Sequence, residues 1–238
     1  MKKRLEISFG KTFKGLMFAV NPIKKKLLKT NCTVHKFINM EAINLLKNEG
    51  YDEEAEFYKE YITPLNKGVT WADQDFKSSN HFYHYENGKG LYGFSNALLE
   101  SSKYYNKAIK LLDDKKMEDS IFYFGAACHL IQDTTVPQHV NNKLLSSHRK
   151  FELWIISRLM SDFSFFGGNK IIRYDNIEGY IKNNSKLANE TFSKYGNIKN
   201  LNEKNEAIAQ IIIKQAQDTT AGFMLDFYDL IKGKNNSL

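Results

Sequence analysis

The sequence predicts an all-α fold, a single compact multi-helix domain. Only three prolines interrupt its 238 residues. Segments that alternate Val or Thr with polar residues, as half-buried strands do, are missing, whereas apolar residues recur at helical spacing. A chain of this length can bury a substantial core. No internal repeat or low-complexity linker divides it, so one domain is the simplest interpretation.

The predicted helices follow one another with short breaks. Helical periodicity begins at residues 35–48 and stops at Gly50, and an acidic helix at 53–61 ends before Pro64. Residues 68–94 break the pattern with glycines, asparagines and aromatic residues, which predicts a long ordered loop and a place to look for a site. The remaining helices are expected at residues 95–114, 117–132, 148–161, 177–187 and 203–231.

Positive charge is concentrated at the N-terminus. Residues 1–30 contain nine basic residues and one acidic residue, a net charge of +8, whereas the whole chain carries +7. The remainder therefore carries 7 − 8 = −1. A basic, partly apolar segment suits an anionic membrane surface, nucleic acid or plain solvent. We divide the chain into this basic leader, residues 1–30, and one helical domain, residues 31–238.

The leader does not have the features of a signal peptide. Its apolar part, residues 15–20, is shorter than a signal h-region, and lysines 24–26 stand where a small-residue cleavage site belongs. No apolar run approaches transmembrane length. The two cysteines, Cys32 and Cys128, are compatible with a reducing compartment. We expect a cytoplasmic protein that is at most peripheral at the membrane.

Six histidines are the starting point for chemistry. His129 and Asp133 stand four residues apart on a predicted helix, so their side chains share a face and can reach one cation. His148 and Glu152 repeat the spacing, and His139 follows a proline break between the two pairs. Nitrogen and oxygen ligands in such clusters suit zinc. For either pair alone, a helix-surface hydrogen bond or weak ion pair is a better explanation than a metal site. With all five residues together, the metal site and the surface interaction are evenly balanced.

Residues 124–152 carry a resemblance to a known family. They include FGAACHLIQDTTVPQH and SHRKFE, which together give the pattern H-x3-D-x5-H followed by H-x3-E. This specific pattern resembles the metal-binding core of the zinc-dependent bacterial phospholipases C, including the bacillus enzymes that hydrolyse phosphatidylcholine and the catalytic domain of clostridial alpha-toxin. His35, Trp71-Ala-Asp73 and His81 extend the match upstream.

The resemblance implies a helical domain built around a trinuclear zinc site. The matched positions place Asp73, His81, His129 and Asp133 on one zinc, His139, His148 and Glu152 on a second, and His35 with the bridging Asp133 on the third. The resemblance also makes Asp73 the general base of phosphodiester hydrolysis. Asp75 competes for that role, because the interval between Asp73 and His81 is shorter than in the exported enzymes. His84 remains unassigned.

The third zinc is where the chain departs from its relatives. The exported enzymes use a processed N-terminal tryptophan there, and no tryptophan precedes His35. Cys32, at C-x2-H spacing from His35, can supply a thiolate instead. A buried reduced cysteine is the commoner role for such a residue, and this alternative stays open.

The substrate is less strongly indicated than the metal. Gln74 follows Asp73, where relatives that hydrolyse phosphatidylcholine carry an aromatic residue for the choline cation. Phe82 and Tyr83 are the candidates for rebuilding an aromatic substrate wall. Packing within the loop is the commoner role of such residues.

The resemblance implies a zinc-dependent phosphodiesterase of the phospholipase C type, which hydrolyses a phospholipid to diacylglycerol and a phosphorylated head group. Its partner is then the phospholipid or a membrane surface, with no obligate protein partner. The fungal single-strand zinc nucleases share this core and make nucleic acid the second choice. Glu152 favours the phospholipases, since the nucleases tend to carry aspartate there. The third alternative is a non-catalytic, zinc-stabilised module that binds a membrane or partner.

Overall fold

A computed structural model describes residues 32–74, 80–91, 95–141, 146–160 and 170–235 of the chain. These residues are mostly α-helical and contain no β-strand, which confirms the all-α prediction. The helices are α1 Thr33–Asn48, α2 Asp52–Glu60, α3 Ile62–Ala72, α4 Ala97–Asp113, α5 Met117–Asp133, α6 Pro137–Val140, α7 Ser146–Leu159, α8 Ile177–Tyr195 and α9 Leu201–Asn235.

Helix α5 lies at the centre of the domain. Every side chain from Phe124 to Asp133 is buried, because α3 and α4 pack against this helix on different sides. Phe124 stacks on Phe227 of α9 with ring centroids 4.2 Å apart, within the larger of two apolar clusters. The second cluster joins α1, α7 and α9 through residues such as Ile38 and Ile212. The last turn of α5 borders this second cluster, so polar side chains there are held away from water.

Two glycines allow α3 and α5 to cross in close contact. A Cβ atom on Gly68 would lie 1.8 Å from the carbonyl oxygen of Phe122, and one on Gly125 would lie 2.2 Å from that of Leu65. Both distances are far below van der Waals contact, so only glycine fits at either position. This crossing fixes the end of α3 relative to the last turn of α5.

We expect Gly68→Ala to lower the free energy of unfolding by about 1–3 kcal/mol, because the new methyl group forces the backbones of α3 and α5 apart. Gly233→Ala, on α9, is the matched control. Nothing lies within 4 Å of the added Cβ there, so we expect a gain of up to about 1 kcal/mol from the better helix propensity of alanine. Urea unfolding measures both variants. Equal stability of the Gly68 variant and the wild type would contradict the close crossing.

The sequence-based boundaries were wrong around α3. Residues 68–72 belong to this helix, although a loop was expected from residue 68 onwards, and Pro64 lies in its first turn rather than ending α2. Proline is tolerated there, because the first N–H groups of a helix have no intrahelical partner. Helix α8 also continues to Tyr195, eight residues beyond the predicted end.

The predicted leader, residues 1–30, lies outside the described residues, so the leader and the domain boundary at residue 31 remain predictions. Among the helices that the structure describes, none combines the length and apolarity needed to cross a bilayer.

Candidate metal centre

Four histidine rings converge on the carboxylate of Asp133, the last residue of α5. His81 Nδ1 and His129 Nε2 lie 2.7 and 3.2 Å from its Oδ2. On the other oxygen, Oδ1, His35 Nε2 lies at 3.4 Å and His139 Nε2 at 3.7 Å. The Asp133 side chain is 4% exposed. Five residues that the sequence singled out, separated by up to 104 positions, are therefore brought into one buried cluster.

Local structure explains how each ring arrives there. His129 precedes Asp133 by one turn of α5, and His35 lies in the first turn of α1. Pro137 begins α6 and turns the chain so that His139 faces back toward the end of α5. The loop that carries His81 is held against α6, because the backbone N–H of Tyr83 donates to the His139 carbonyl oxygen at 3.1 Å.

Asp73 extends the cluster from the C-terminal end of α3. One ligand atom each from Asp73, His81 and His129 lie within 4.8 Å of one another, and so do ligand atoms from His35, His129 and Asp133. The two groups share His129, so they describe adjoining positions for metal ions.

Glu152 and Cys32 lie beside these groups. Glu152, on α7, lines the same cavity as His35 and Asp133. Burial, reinforced by the negative charges of Asp73 and Asp133, raises the pKa of the Glu152 carboxyl to about 7. The Cys32 thiol donates to Asp73 Oδ2 at 3.6 Å, and burial and this carboxylate raise the pKa of the thiol. Cys32 joins neither three-residue group, so its ligand role stays a prediction.

His148 lies in α7, one turn before Glu152. Its side chain lies outside the described residues, as does the whole of Asp75. The predicted place of His148 on the second zinc and the competition between Asp75 and Asp73 therefore both remain predictions.

The tautomer of His81 tests whether the cluster fits a metal. Its Nε2 lies 3.1 Å from the carbonyl oxygen of Ala72. A carbonyl only accepts, so Nε2 carries the hydrogen and Nδ1 of the neutral ring presents a lone pair. That lone pair faces Asp133 Oδ2, a buried oxygen to which no group in the described ranges donates a hydrogen bond. Two lone pairs 2.7 Å apart need a shared cation, a proton or a metal ion. The nitrogen and oxygen donors fit zinc.

The electrostatics of His35 and Asp133 agree with this fit. Burial and the nearby His129 together lower the pKa of His35 to about 4, against the opposing negative charge of Asp133. Burial alone raises the pKa of the Asp133 carboxyl, but the positive charges of His139 and His129 outweigh burial and hold that pKa well below its usual range. At neutral pH His35 is then neutral and Asp133 ionised, which are the protonation states in which imidazole and carboxylate bind metals.

A comparison with family models identifies the chain. Residues 34–218, most of its length, match the family described as zinc dependent phospholipase C. The chain belongs to the zinc-dependent phospholipase C family. This confirms the resemblance drawn from the H-x3-D-x5-H and H-x3-E pattern, and zinc is the metal that the family and the candidate ligand groups support.

Solved structures support the same fold. Alpha toxin from Clostridium absonum matches with a TM-score of 0.71 and 20% identity, over 85% of this chain and 64% of the toxin. Clostridium perfringens alpha-toxin from avian strain SWCP matches with a TM-score of 0.67 and 17% identity, over 84% of this chain and 64% of the toxin. This phospholipase C family chain thus spans just under two thirds of each toxin. A search of curated proteins found no match.

Two aromatic residues were candidates for a substrate wall, with packing as their commoner role. Phe82 and Tyr83 are only 4% and 5% exposed. Phe82 packs against the His139 ring, with centroids 5.0 Å apart, and Tyr83 belongs to the larger core cluster. Burial therefore favours the packing alternative for both side chains. Their substrate contact finds no support in the geometry.

The sequence analysis missed Gln132. Its side chain is buried in the last turn of α5 and its Oε1 lies 2.9 Å from His35 Nδ1. The available signal was a polar residue within an apolar helix, next to a predicted ligand.

Proposed function

We propose that this chain is a zinc-dependent phosphodiesterase of the phospholipase C type, which hydrolyses a phospholipid to diacylglycerol and a phosphorylated head group. The observation that carries the proposal is the convergence of four histidines on the buried Asp133 carboxylate, in a chain of this family. When bound, zinc supplies positive charge that stabilises the phosphodiester oxygens and lowers the pKa of coordinated water toward about 7.

We propose three zinc ions, held as the family resemblance implies. The ligand sets are Asp73, His81, His129 and Asp133 for one ion, His139, His148 and Glu152 for another, and His35 with Asp133 for the third, with Cys32 as an additional candidate. The close approach of the first set, and of His35 to the bridging carboxylate, supports this assignment.

Asp73 is the group that we assign to proton transfer. Its carboxylate is half-buried at the end of α3 and lies beside His81 and His129. As general base it accepts a proton from the water that attacks phosphorus. Asp133 and the histidines serve as metal ligands around it. The thiol of Cys32 donates to Asp73 Oδ2 and so orients this carboxylate, whereas the alternative role of Cys32 as a zinc ligand requires its thiolate.

A small, mostly apolar cavity lies next to the metal centre. It is lined by His35, Asp133 and Glu152 on one side and by seven apolar side chains, among them Ile38 and Ile212, on the other. The described residues around it include no lysine or arginine and one aromatic ring. Single-strand binding needs cationic grooves and aromatic stacking platforms, which this cavity lacks, although Lys36, Lys67 and Trp71 line a wider groove that reaches Gln74. We further propose a cytoplasmic protein that meets its substrate at a membrane surface.

The test is to incubate zinc-loaded protein with mixed phospholipid vesicles and, separately, with single-stranded DNA. We expect diacylglycerol and a phosphorylated head group from the vesicles, and no product in a control with a chelator. Release of nucleotides instead would assign the chain to the nuclease alternative. If zinc-containing protein releases no product from either substrate, the chain is assigned to the non-catalytic alternative.

A further inference from the structure

A buried amide network lies behind the metal centre and ends on His35. Gln132 is its hub: Oε1 lies 2.9 Å from His35 Nδ1, while Nε2 lies 2.8 Å from Asn39 Oδ1 and 3.1 Å from Thr220 Oγ1. Asn39 in turn donates its Nδ2 to Asn66 Oδ1 at 3.0 Å. The network therefore joins α1, α3, α5 and α9. Gln132, Asn39 and Thr220 are each no more than 1% exposed.

The chemistry of the amides gives the network a direction. Because Asn39 donates through its nitrogen, its oxygen accepts from Gln132 Nε2. The remaining Gln132 group near the imidazole, Oε1, is an acceptor and takes the hydrogen of His35 Nδ1. The other ring nitrogen, Nε2, then carries the lone pair, and it is the atom that points toward Asp133 Oδ1 at 3.4 Å.

We infer that Gln132 is a positioning residue that fixes the tautomer of His35, so that Nε2 is the nitrogen offered to a metal. The inference rests on the proposed zinc site, but it concerns a residue outside the ligand set. A hydrogen-bond acceptor on the second nitrogen of a ligand histidine sets the ring's tautomer and orientation and increases its basicity. The ends of the network on α3 and α9 keep the Gln132 amide from rotating, because a flipped amide would place its oxygen against Asn39 Oδ1.

Two variants at position 132 distinguish the loss of the hydrogen-bond acceptor from a change in side-chain packing. Gln132→Met keeps the length and approximate volume of the side chain but removes the acceptor. Gln132→Glu, as the neutral acid, donates its O–H to Asn39 Oδ1 and keeps a carbonyl acceptor for His35 Nδ1. Competition with a chromophoric chelator measures the affinity of each zinc ion. We expect the methionine variant to bind its weakest zinc about 10–100-fold less tightly, the usual effect of removing such a partner, and the glutamate variant to stay within a few-fold of wild type. Equal zinc affinity in all three proteins, or equal loss in both variants, would overturn the inference.

The tautomer itself is measurable without metal or substrate. In metal-free wild-type protein with ¹⁵N-labelled histidine, we expect NMR to show His35 protonated on Nδ1 and unprotonated on Nε2. Thr220→Val, which removes one contact of Gln132 Nε2 but leaves Asn39 in place, should keep this tautomer. A hydrogen on Nε2 of His35 in the wild type would refute the assignment, whatever the substrate of the chain proves to be. Absence of catalytic activity alone would leave this readout unaffected and would count only against the proposed function.

Discussion

Replacing Asp133 with asparagine is expected to remove most bound zinc and to lower phosphodiester hydrolysis by more than about 100-fold. Losing a partner that only orients a metal ligand costs less than this, and Asp133 is itself a proposed ligand. Four histidine nitrogens lie within 4 Å of this carboxylate. Among the described residues, no other carboxylate has four histidine nitrogens this close. Asparagine keeps the shape but loses the negative charge and one of the two acceptor oxygens, so the two proposed zinc sites that share Asp133 both lose their bridging ligand.

The matched control for this variant is Asp113→Asn. Asp113 is exposed at the end of α4 and forms an ion pair with Lys234 of α9. A surface ion pair contributes little, so zinc content and turnover should match the wild type. Zinc per folded chain is measured by elemental analysis, with circular dichroism as the check on folding. Wild-type zinc content in the Asp133 variant would exclude it as the bridging ligand.

Replacing Asp73 with asparagine is expected to separate binding from catalysis. His81, His129 and Asp133 remain to hold metal, and the asparagine side-chain oxygen is still a donor, so most zinc should be retained. The general base is lost, and turnover should fall by about 10²–10⁴-fold, the range that a positioned base contributes. The measurement is kcat for diacylglycerol release, taken together with zinc content on the same preparation.

Asp75→Asn is the comparison that decides between the two neighbouring carboxylates. We expect it to keep near-normal turnover. Near-normal turnover of a metal-replete Asp73 variant would remove Asp73 from the role of base, and a large loss in the Asp75 variant would transfer the role to Asp75.

Sequence reasoning predicted those parts of the centre that follow from local geometry or a specific motif. His129 and Asp133 share a helix face because they are four residues apart, and Pro137 turns the chain at the end of α5 because proline begins a new helix there. The approach of His35 and His81 to Asp133 spans 98 and 52 positions. Spacing alone could not predict it, and the family resemblance supplied it.

The parts that were missed depend on tertiary contacts. Gly68 suggested a loop, but it sits inside α3 because that helix must approach α5 without a Cβ in the way. The role of Gln132 depends on its hydrogen-bond partners His35 and Asn39, from α1, and Thr220, from α9. Long-range packing decides both cases.

The zinc content of the purified, folded protein tests the central claim most directly. If the cluster around Asp133 is a zinc centre, elemental analysis should find three zinc ions per chain, all removed by a strong chelator and restored by added zinc. One or two ions would keep the centre and correct the count. A folded chain that binds less than one equivalent of zinc, even after incubation with excess metal, would contradict the account.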